Sequence, residues 1–364
     1  MPFFGDVYKN KKILVTGHTG FKGSWLCFWL SKLGAQICGY SLQAPTNPAH
    51  YHLIGFPHHN IIGDIRDVSH VEQVCHDFSP DFVFHLAAHS LVRSSYENPL
   101  ETFNTNVMGT VNVLETCRCQ SSVRAAIIIT SDKCYENQET LRPYQETDPM
   151  GGHDPYSASK GCAELAVTAY RRSFFQEGII QGGREMLLAS ARAGNVMGGG
   201  DWAEDRLMPD LVRAAATGTS VKIRHPQSVR PWQHVLDALS GYLLLGQKLL
   251  EGDSAFAEAW NFGSDTSHVR NVQYLVEKSC AIWPKIKVDI SKTTQGLHEA
   301  GLLMLDPSKA RQKLSWAPVW DTDTAIDKAV NWYKTFYEKN SVVTEDDWNA
   351  YIQDAMRQGA VWTK

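Results

Sequence analysis

Residues 11–23, "KKILVTGHTGFKG", carry an apolar, β-branched stretch straight into three glycines spaced G-x-x-G-x-x-G (Gly17, Gly20, Gly23) and then into a helical pattern. Each glycine has a mechanical reason. One permits a tight reversal, one lets the backbone approach a diphosphate, and one lets the helix pack close on the strand. The helix start then presents free N–H groups and a positive dipole end to an anion. With a strand before it and a helix after it, the triplet opens a nucleotide-binding α/β sheet.

The rest of the first half repeats that rhythm. Apolar runs at 11–17, 35–42, 59–64, 81–87, 125–131 and 186–195 predict strands, and the stretches 23–33, 67–78, 99–119 and 155–177 predict helices. Runs that are continuously apolar belong to strands covered on both faces, and helices between them make right-handed crossovers. The fold class is therefore α/β, a doubly wound parallel (Rossmann) sheet. After about residue 196 the rhythm changes. "LMPDLVRAAATG" reads as a helix ending at Gly218, "VKIRHP" as a short strand, "WQHVLDALSGYLLLGQKLLEG" as a long helix and "EAWNFGS" as a strand. The expected division is a Rossmann domain of 1–195 plus about 230–265, with a smaller mixed α/β substrate lobe from about 196–229 and 266–364.

Composition narrows the partners. A net charge of -4 gives no reason to expect nucleic acid or an anionic membrane. The N-terminus lacks the apolar segment of a secretory signal, and the eight scattered cysteines match no zinc spacing and read as reduced thiols. A cytoplasmic protein with no metal is expected. The eleven tryptophans, heaviest in the last third, read as core and interface.

Beyond the second strand, "GYSLQAP" lacks the acid that would hold the ribose 2′-OH of NAD, so this position leaves NAD and NADP both open. His18 and Lys22 in the glycine loop could meet a phosphate instead. "GDIRD" puts Asp64 and Ile65 after the third strand, where Asp64 could take an adenine amino group or simply shape a turn. "PYSASK" places Tyr156 and Lys160 four apart on one helix face. A lysine cation there favours phenolate, making Tyr156 a base for a sugar hydroxyl.

Together, "TGHTGFKG", "HLAAHS", "NTNVMGTVNVLE", "PYSASK" and "RAGNVMGGG" resemble the extended short-chain dehydrogenase/reductase family, in its nucleotide-sugar branch, over about residues 11–240. The resemblance implies bound NAD, a sugar-nucleotide substrate and a homo-oligomer (dimer or tetramer) built through helices such as 99–119 and 155–177. It implies a triad of Ser131, Tyr156 and Lys160, with Thr130 as the fallback hydroxyl. It places cofactor contacts at Gly17, His18, Thr19, Gly20, Phe21, Lys22 and Gly23, at Asp64 and Ile65, and at Leu86, Ala87, Ala88, Ser90 and Asn106. Substrate contacts fall on Ser131, Asn195, Arg206, Arg224 and Arg230. His89 and His234 lie near these segments and read as structural.

"TSDKCY" adds Asp132 and Lys133 directly after Ser131. Family members that are 4,6-dehydratases carry an acid pair there, commonly Asp-Glu: one group protonates the departing C6 hydroxyl while the other takes the C5 proton. Asp132 matches the acid. Lys133 stands in place of the glutamate and becomes the candidate C5 base, or else a charge that helps the enolate form, with a simple strand-end ion pair to Asp132 as the bland reading. The Asp-Lys pair, "GHTGFKG", "GGGDWAEDR" and "RPWQHV" are similar to the CDP-glucose 4,6-dehydratases within this family. That similarity implies conversion of CDP-D-glucose to CDP-4-dehydro-6-deoxy-D-glucose, on a route to lipopolysaccharide O-antigen sugars. Another sugar-nucleotide dehydratase, a 4-epimerase or a non-catalytic NAD-sensing relative are the competing expectations. Asp132 speaks against the epimerase, and the intact Tyr156 and Lys160 against the sensor.

Overall fold

The computed structural model describes residues 3–55, 58–175, 186–264, 269–290 and 302–364. Six strands follow one another in chain order: β1 Lys12–Thr16, β2 Gln36–Ser41, β3 His59–Ile62, β4 Phe82–His85, β5 Ala125–Ile129 and β6 Leu187–Ala193. With the strand Ala259–Phe262 they form one seven-stranded sheet, in the order Ala259–Phe262, β6, β5, β4, β1, β2, β3. Every neighbouring pair is parallel. The order reverses direction between β1 and β4, so a crevice opens above their C-terminal ends.

Alternate residues of the strands feed two cores. Ile13, Val15, Phe82, Phe84 and Ile127 pack with Trp25 and Trp29 of helix Phe21–Lys32 and with the leucine-rich helix Val235–Leu250. Leu14, Val83, Ala126 and Ile128 face the other way, onto helices Val68–Phe78, Gly109–Cys119 and Pro155–Phe174. Both faces are dry, which is why the strands read as unbroken apolar runs. A third cluster gathers Trp202, Trp232, Trp283, Trp332 and Tyr333 with the helix Leu207–Thr217 and the helix Thr322–Lys339. Seven of the tryptophans are among the largest fully buried side chains, in keeping with a core role.

Differences from the sequence reading are local. The stretch 99–119 is helical throughout but has a π-helical turn, Asn104–Met108, in its middle. The helix expected over 155–177 is described as Pro155–Phe174, and residues 176 and 177 lie outside the described residues. Gly218 ends its helix in a left-handed conformation, φ 73°. The long helix begins at Val235, because Gln233–His234 pairs as a short strand with Val196–Met197. No described helix is long and apolar enough to cross a membrane.

Candidate active site

The glycine turn sits at the end of β1, and its geometry suits a dinucleotide. Gly17 has φ 74°, and a Cβ there would stand 2.7 Å from the backbone nitrogen of Ala87, so the turn lies directly against the chain leaving β4. A Cβ on Gly23 would stand 2.1 Å from the carbonyl oxygen of Gly17, so only glycine lets the helix close onto the turn. Gly20 is the N-cap and has no side chain to occupy the helix's first N–H groups. Thr16 fastens the neighbouring "HLAA" segment: its Oγ1 accepts from the backbone of Leu86 and Ala87 and bonds His85 Nδ1 at 2.7 Å.

A cleft of roughly 390 Å³ opens beside this turn. Its lining brings together Phe21, Lys22, Leu86, Ala88, Ser131, Asp132, Lys133, Tyr156 and Lys160 with Ser90, Asn195, Arg206, Arg224 and Arg230. Gly17, Gly23 and Ala87 pack on one another in the turn beside the cleft. Thr19 Oγ1 bonds Ser41 Oγ at 2.8 Å, so hydroxyls stand at the end of β2 where an acid would hold a ribose. Asp64 is gripped by Arg66, whose Nε and Nη2 both reach the carboxylate, and that pairing holds its pKa down. Ile65 is buried in the second core.

The side chains of His18 and Asn106 are engaged by the protein itself. The His18 ring is fully buried against Gly39 of β2, bonded to Asn60 Oδ1 at 2.7 Å, and burial lowers its pKa. Asn106 spends its amide on protein: it accepts from His89 N, and donates to His89 O and Ser159 Oγ. It thereby ties the "HLAAHS" loop to the Tyr156 helix. His89 is held between Thr102 and Ser94, and His234 caps the helix at Val235.

Tyr156 and Lys160 stand at the start of their helix because Asp154 caps it, accepting from Ser157 N, and Pro155 follows at the first helical position. Burial pushes the Tyr156 phenol up to about 12, with Ser131 and Arg206 opposing. This is the reverse of the lowering expected from a nearby lysine. Desolvation is the largest cause, and Lys160 is itself buried and pushed down to about 8, its Nζ reaching the Ile129 carbonyl at 3.4 Å. Lys22, expected at a phosphate, lies among Lys160, Arg206 and Asp132. Burial and the two cations push it down to about 7, and Asp132 opposes them.

The end of β5 continues into a 3-10 turn, Asp132–Cys134. Ser131 Oγ donates to Asp132 Oδ1 at 2.9 Å and accepts from Lys133 N. Asp132 is buried, and desolvation raises its pKa against Lys133, Ser131 and Arg230. Lys133 is half-buried on the cleft wall. Thr130 Oγ1 donates to Glu164, which leaves Ser131 as the hydroxyl beside Asp132. Glu164 in turn is paired with Arg192 through two nitrogens, and Arg192 Nη1 bonds Tyr135 Oη at 2.6 Å. Sequence reading missed this buried support, and missed Arg93 and Trp232, which also line the cleft. The arginines are steadied by acids: Arg206 by Asp201 at 2.8 Å, and Arg224 by Asp205 at 3.6 Å.

Comparison with known proteins agrees with this geometry. The chain is 46% identical to the CDP-glucose 4,6-dehydratase of Salmonella typhimurium over 333 residues, 91% of this chain and 92% of that protein. It is 26% identical to a UDP-glucose 4-epimerase of Rhizobium meliloti, covering 89% and 98% of the two chains. Among solved structures, the fold is similar to that of an epimerase from Methanothermobacter thermautotrophicus, with a TM-score of 0.79, 23% identity and coverage of 93% and 97%. It is also similar to a dTDP-glucose 4,6-dehydratase from Bacillus anthracis in complex with NAD, with a TM-score of 0.73, 20% identity and coverage of 91% and 99%. The model of the family described as GDP-mannose 4,6 dehydratase matches residues 14–329, and the chain belongs to that family.

Proposed function

We propose that the protein is an NAD-dependent lyase that converts CDP-D-glucose to CDP-4-dehydro-6-deoxy-D-glucose and water. The observation that carries this reading is the placement of Asp132 and Lys133 next to Ser131, in one cleft with Tyr156 and Lys160. An epimerase needs only the last three. The 46% identity to a CDP-glucose 4,6-dehydratase supports the choice of base and sugar. NAD would be held by the turn at Gly17, Gly20 and Gly23 and by the "HLAA" segment, and supplies a hydride acceptor at C4 that becomes a donor at C6.

The residues divide the proton work. Tyr156 takes the proton of the C4 hydroxyl, and Lys160 and Ser131 hold that oxygen and its charge in place. The resulting C4 ketone makes the C5 proton acidic. Lys133 removes it, and Asp132, whose pKa burial raises, gives its proton to the C6 hydroxyl as water leaves; Lys133 then returns a proton to C5 as C6 is reduced. Arg206, Arg224 and Arg230 hold the diphosphate, since a guanidinium fork matches phosphate oxygens.

The same reading carries a 1–195 plus about 230–265 cofactor domain, a cytoplasmic place on a route to lipopolysaccharide sugars, and a homo-oligomer. The exposed Leu100, Met108 and Leu165 on the two long helices support self-association. The test is direct: purified protein, NAD and CDP-glucose should give the 4-keto-6-deoxy sugar, detected by mass and by its absorbance in alkali. No product from CDP-, UDP-, GDP- or dTDP-glucose would refute a dehydratase.

A further inference from the structure

Arg93, Asp205 and Arg224 come from three separate segments and meet on the wall of the cleft. Arg93 lies on the short helix Val92–Glu97 after β4, Asp205 in the loop ahead of helix Leu207–Thr217, and Arg224 just past the strand Ser220–Ile223. Both guanidiniums reach the same oxygen, Asp205 Oδ1, Arg93 at 3.1 Å and Arg224 at 3.6 Å. Two cations therefore share a single carboxylate. Asp205 itself is held at φ 57°, a left-handed conformation that disfavours a non-glycine residue.

The electrostatics make this arrangement easy to exchange. The three side chains are 27%, 40% and 39% exposed, and ion pairs in such surroundings are weak. A diphosphate carries more charge than one carboxylate and offers each arginine two oxygens. It would satisfy both forks at once.

We propose that Asp205 is an exchangeable counter-ion, holding Arg93 and Arg224 across the cleft until the substrate's diphosphate takes both guanidiniums and releases it. This rests on the nucleotide-sugar reading above, and it adds Arg93, from the sheet side of the cleft, to the diphosphate ligands. Asp205 is a positioning residue: it competes with the substrate and touches no reacting atom.

The sign of the effect separates this role from a structural one. Calorimetry on the full chain with CDP, and separately with inorganic pyrophosphate, should show Asp205→Asn binding both about three- to tenfold more tightly than the unmodified protein. The KM for CDP-glucose should fall in step, while kcat stays level or drops as the product leaves more slowly. Asp205→Glu, which keeps the charge, should restore ordinary affinity. Glu204→Gln removes a neighbouring exposed charge while keeping the carboxylate that both arginines share, and should change nothing. Equal or weaker binding by a folded Asp205→Asn protein would overturn the proposal, and so would equal tightening by Glu204→Gln. If the unmodified protein bound neither CDP nor another nucleoside diphosphate, the functional reading would fall first and this inference with it.

Discussion

Asp132→Asn is the perturbation that tests the chemistry most sharply. The carboxyl is 4% exposed and burial raises its pKa, so at neutral pH more of it stays protonated than in an exposed aspartate. Asparagine has the same outline. It keeps an oxygen to accept from Ser131, and leaves unchanged the close approach of Gly194, whose added Cβ would stand 3.3 Å from Asp132 Oδ2. What it loses is the transferable proton. Removing a positioned general acid costs about a hundred- to ten-thousandfold in rate, or ~3–5 kcal/mol of transition-state stabilisation. Stability should hardly move, within about 1 kcal/mol, because the lost attractions to Lys133 and Arg230 are offset by one less buried charge. In deuterium oxide, the variant should still place deuterium at C5 of recovered CDP-glucose, while formation of the 4-keto-6-deoxy sugar collapses. The unmodified enzyme should lose rate as pH rises through the raised Asp132 pKa, and the variant should lack that limb. A folded Asp132→Asn enzyme dehydrating at more than about a tenth of the normal rate would refute Asp132 as the acid.

Other variants probe the neighbouring groups. Lys133→Met should abolish C5 deuterium exchange and dehydration together while C4 oxidation survives; full dehydration by that protein would remove Lys133 from the proton path. Arg192→Met should destabilise the fold by ~3–5 kcal/mol in chemical denaturation, since it strands the buried Glu164 carboxylate; a loss under about 1 kcal/mol would show that water or a local shift satisfies Glu164. Asp237 gives a pH test. Its carboxyl is pushed up to about 7 by burial, from a reference of 3.8, while Oδ1 accepts from Val319 N and Tyr351 Oη. The unfolded chain ionises near pH 4 and the folded one near 7, so this group draws stability down as pH rises across that window, by ~4 kcal/mol at most. Asp237→Asn should therefore be less stable than the unmodified protein near pH 4, where its amide gains no partner at the Oδ2 position, and more stable near pH 8. Parallel melting curves across that range would contradict the assignment.

The grouping of the candidate catalytic residues in one cleft was legible in the sequence because each arises from one local event. Ser131, Asp132 and Lys133 are consecutive at the end of a buried strand, and Tyr156 and Lys160 share the first turns of one capped helix. Strand ends and helix starts are marked by apolar runs, Asp154 and Pro155, so the pattern alone brings these groups to one rim of the sheet. The π-helical turn at Asn104–Met108 was not legible in that way. It accompanies Asn106, whose bonds to His89 and Ser159 span 17 and 53 residues of chain. Asp64 shows the opposite case: Arg66, only two residues on, holds the carboxylate, and "GDIRD" already contained that pair.

Lys22 and the arginines mark the real limit. Which way a side chain on the first helix points depends on how that helix seats against β1 and the Val235–Leu250 helix, and only the packed cores decide it. The residues proposed for the diphosphate are still more dispersed, drawn from positions 93, 206, 224 and 230 on four segments, with Asp201 and Asp205 pairing three of them. A reaction performed by neighbours in sequence is thus supplied with substrate by residues assembled only through the fold. Changes in substrate choice within such a scaffold should therefore fall in the segments 201–230, where loops and short strands carry the binding groups, and leave the rim at 131–133 and 156–160 alone. Exchanging segment 201–230 for that of a UDP-glucose relative should shift the preferred nucleotide while preserving C5 exchange; a chimaera that folds and keeps its preference for CDP would place nucleotide recognition elsewhere.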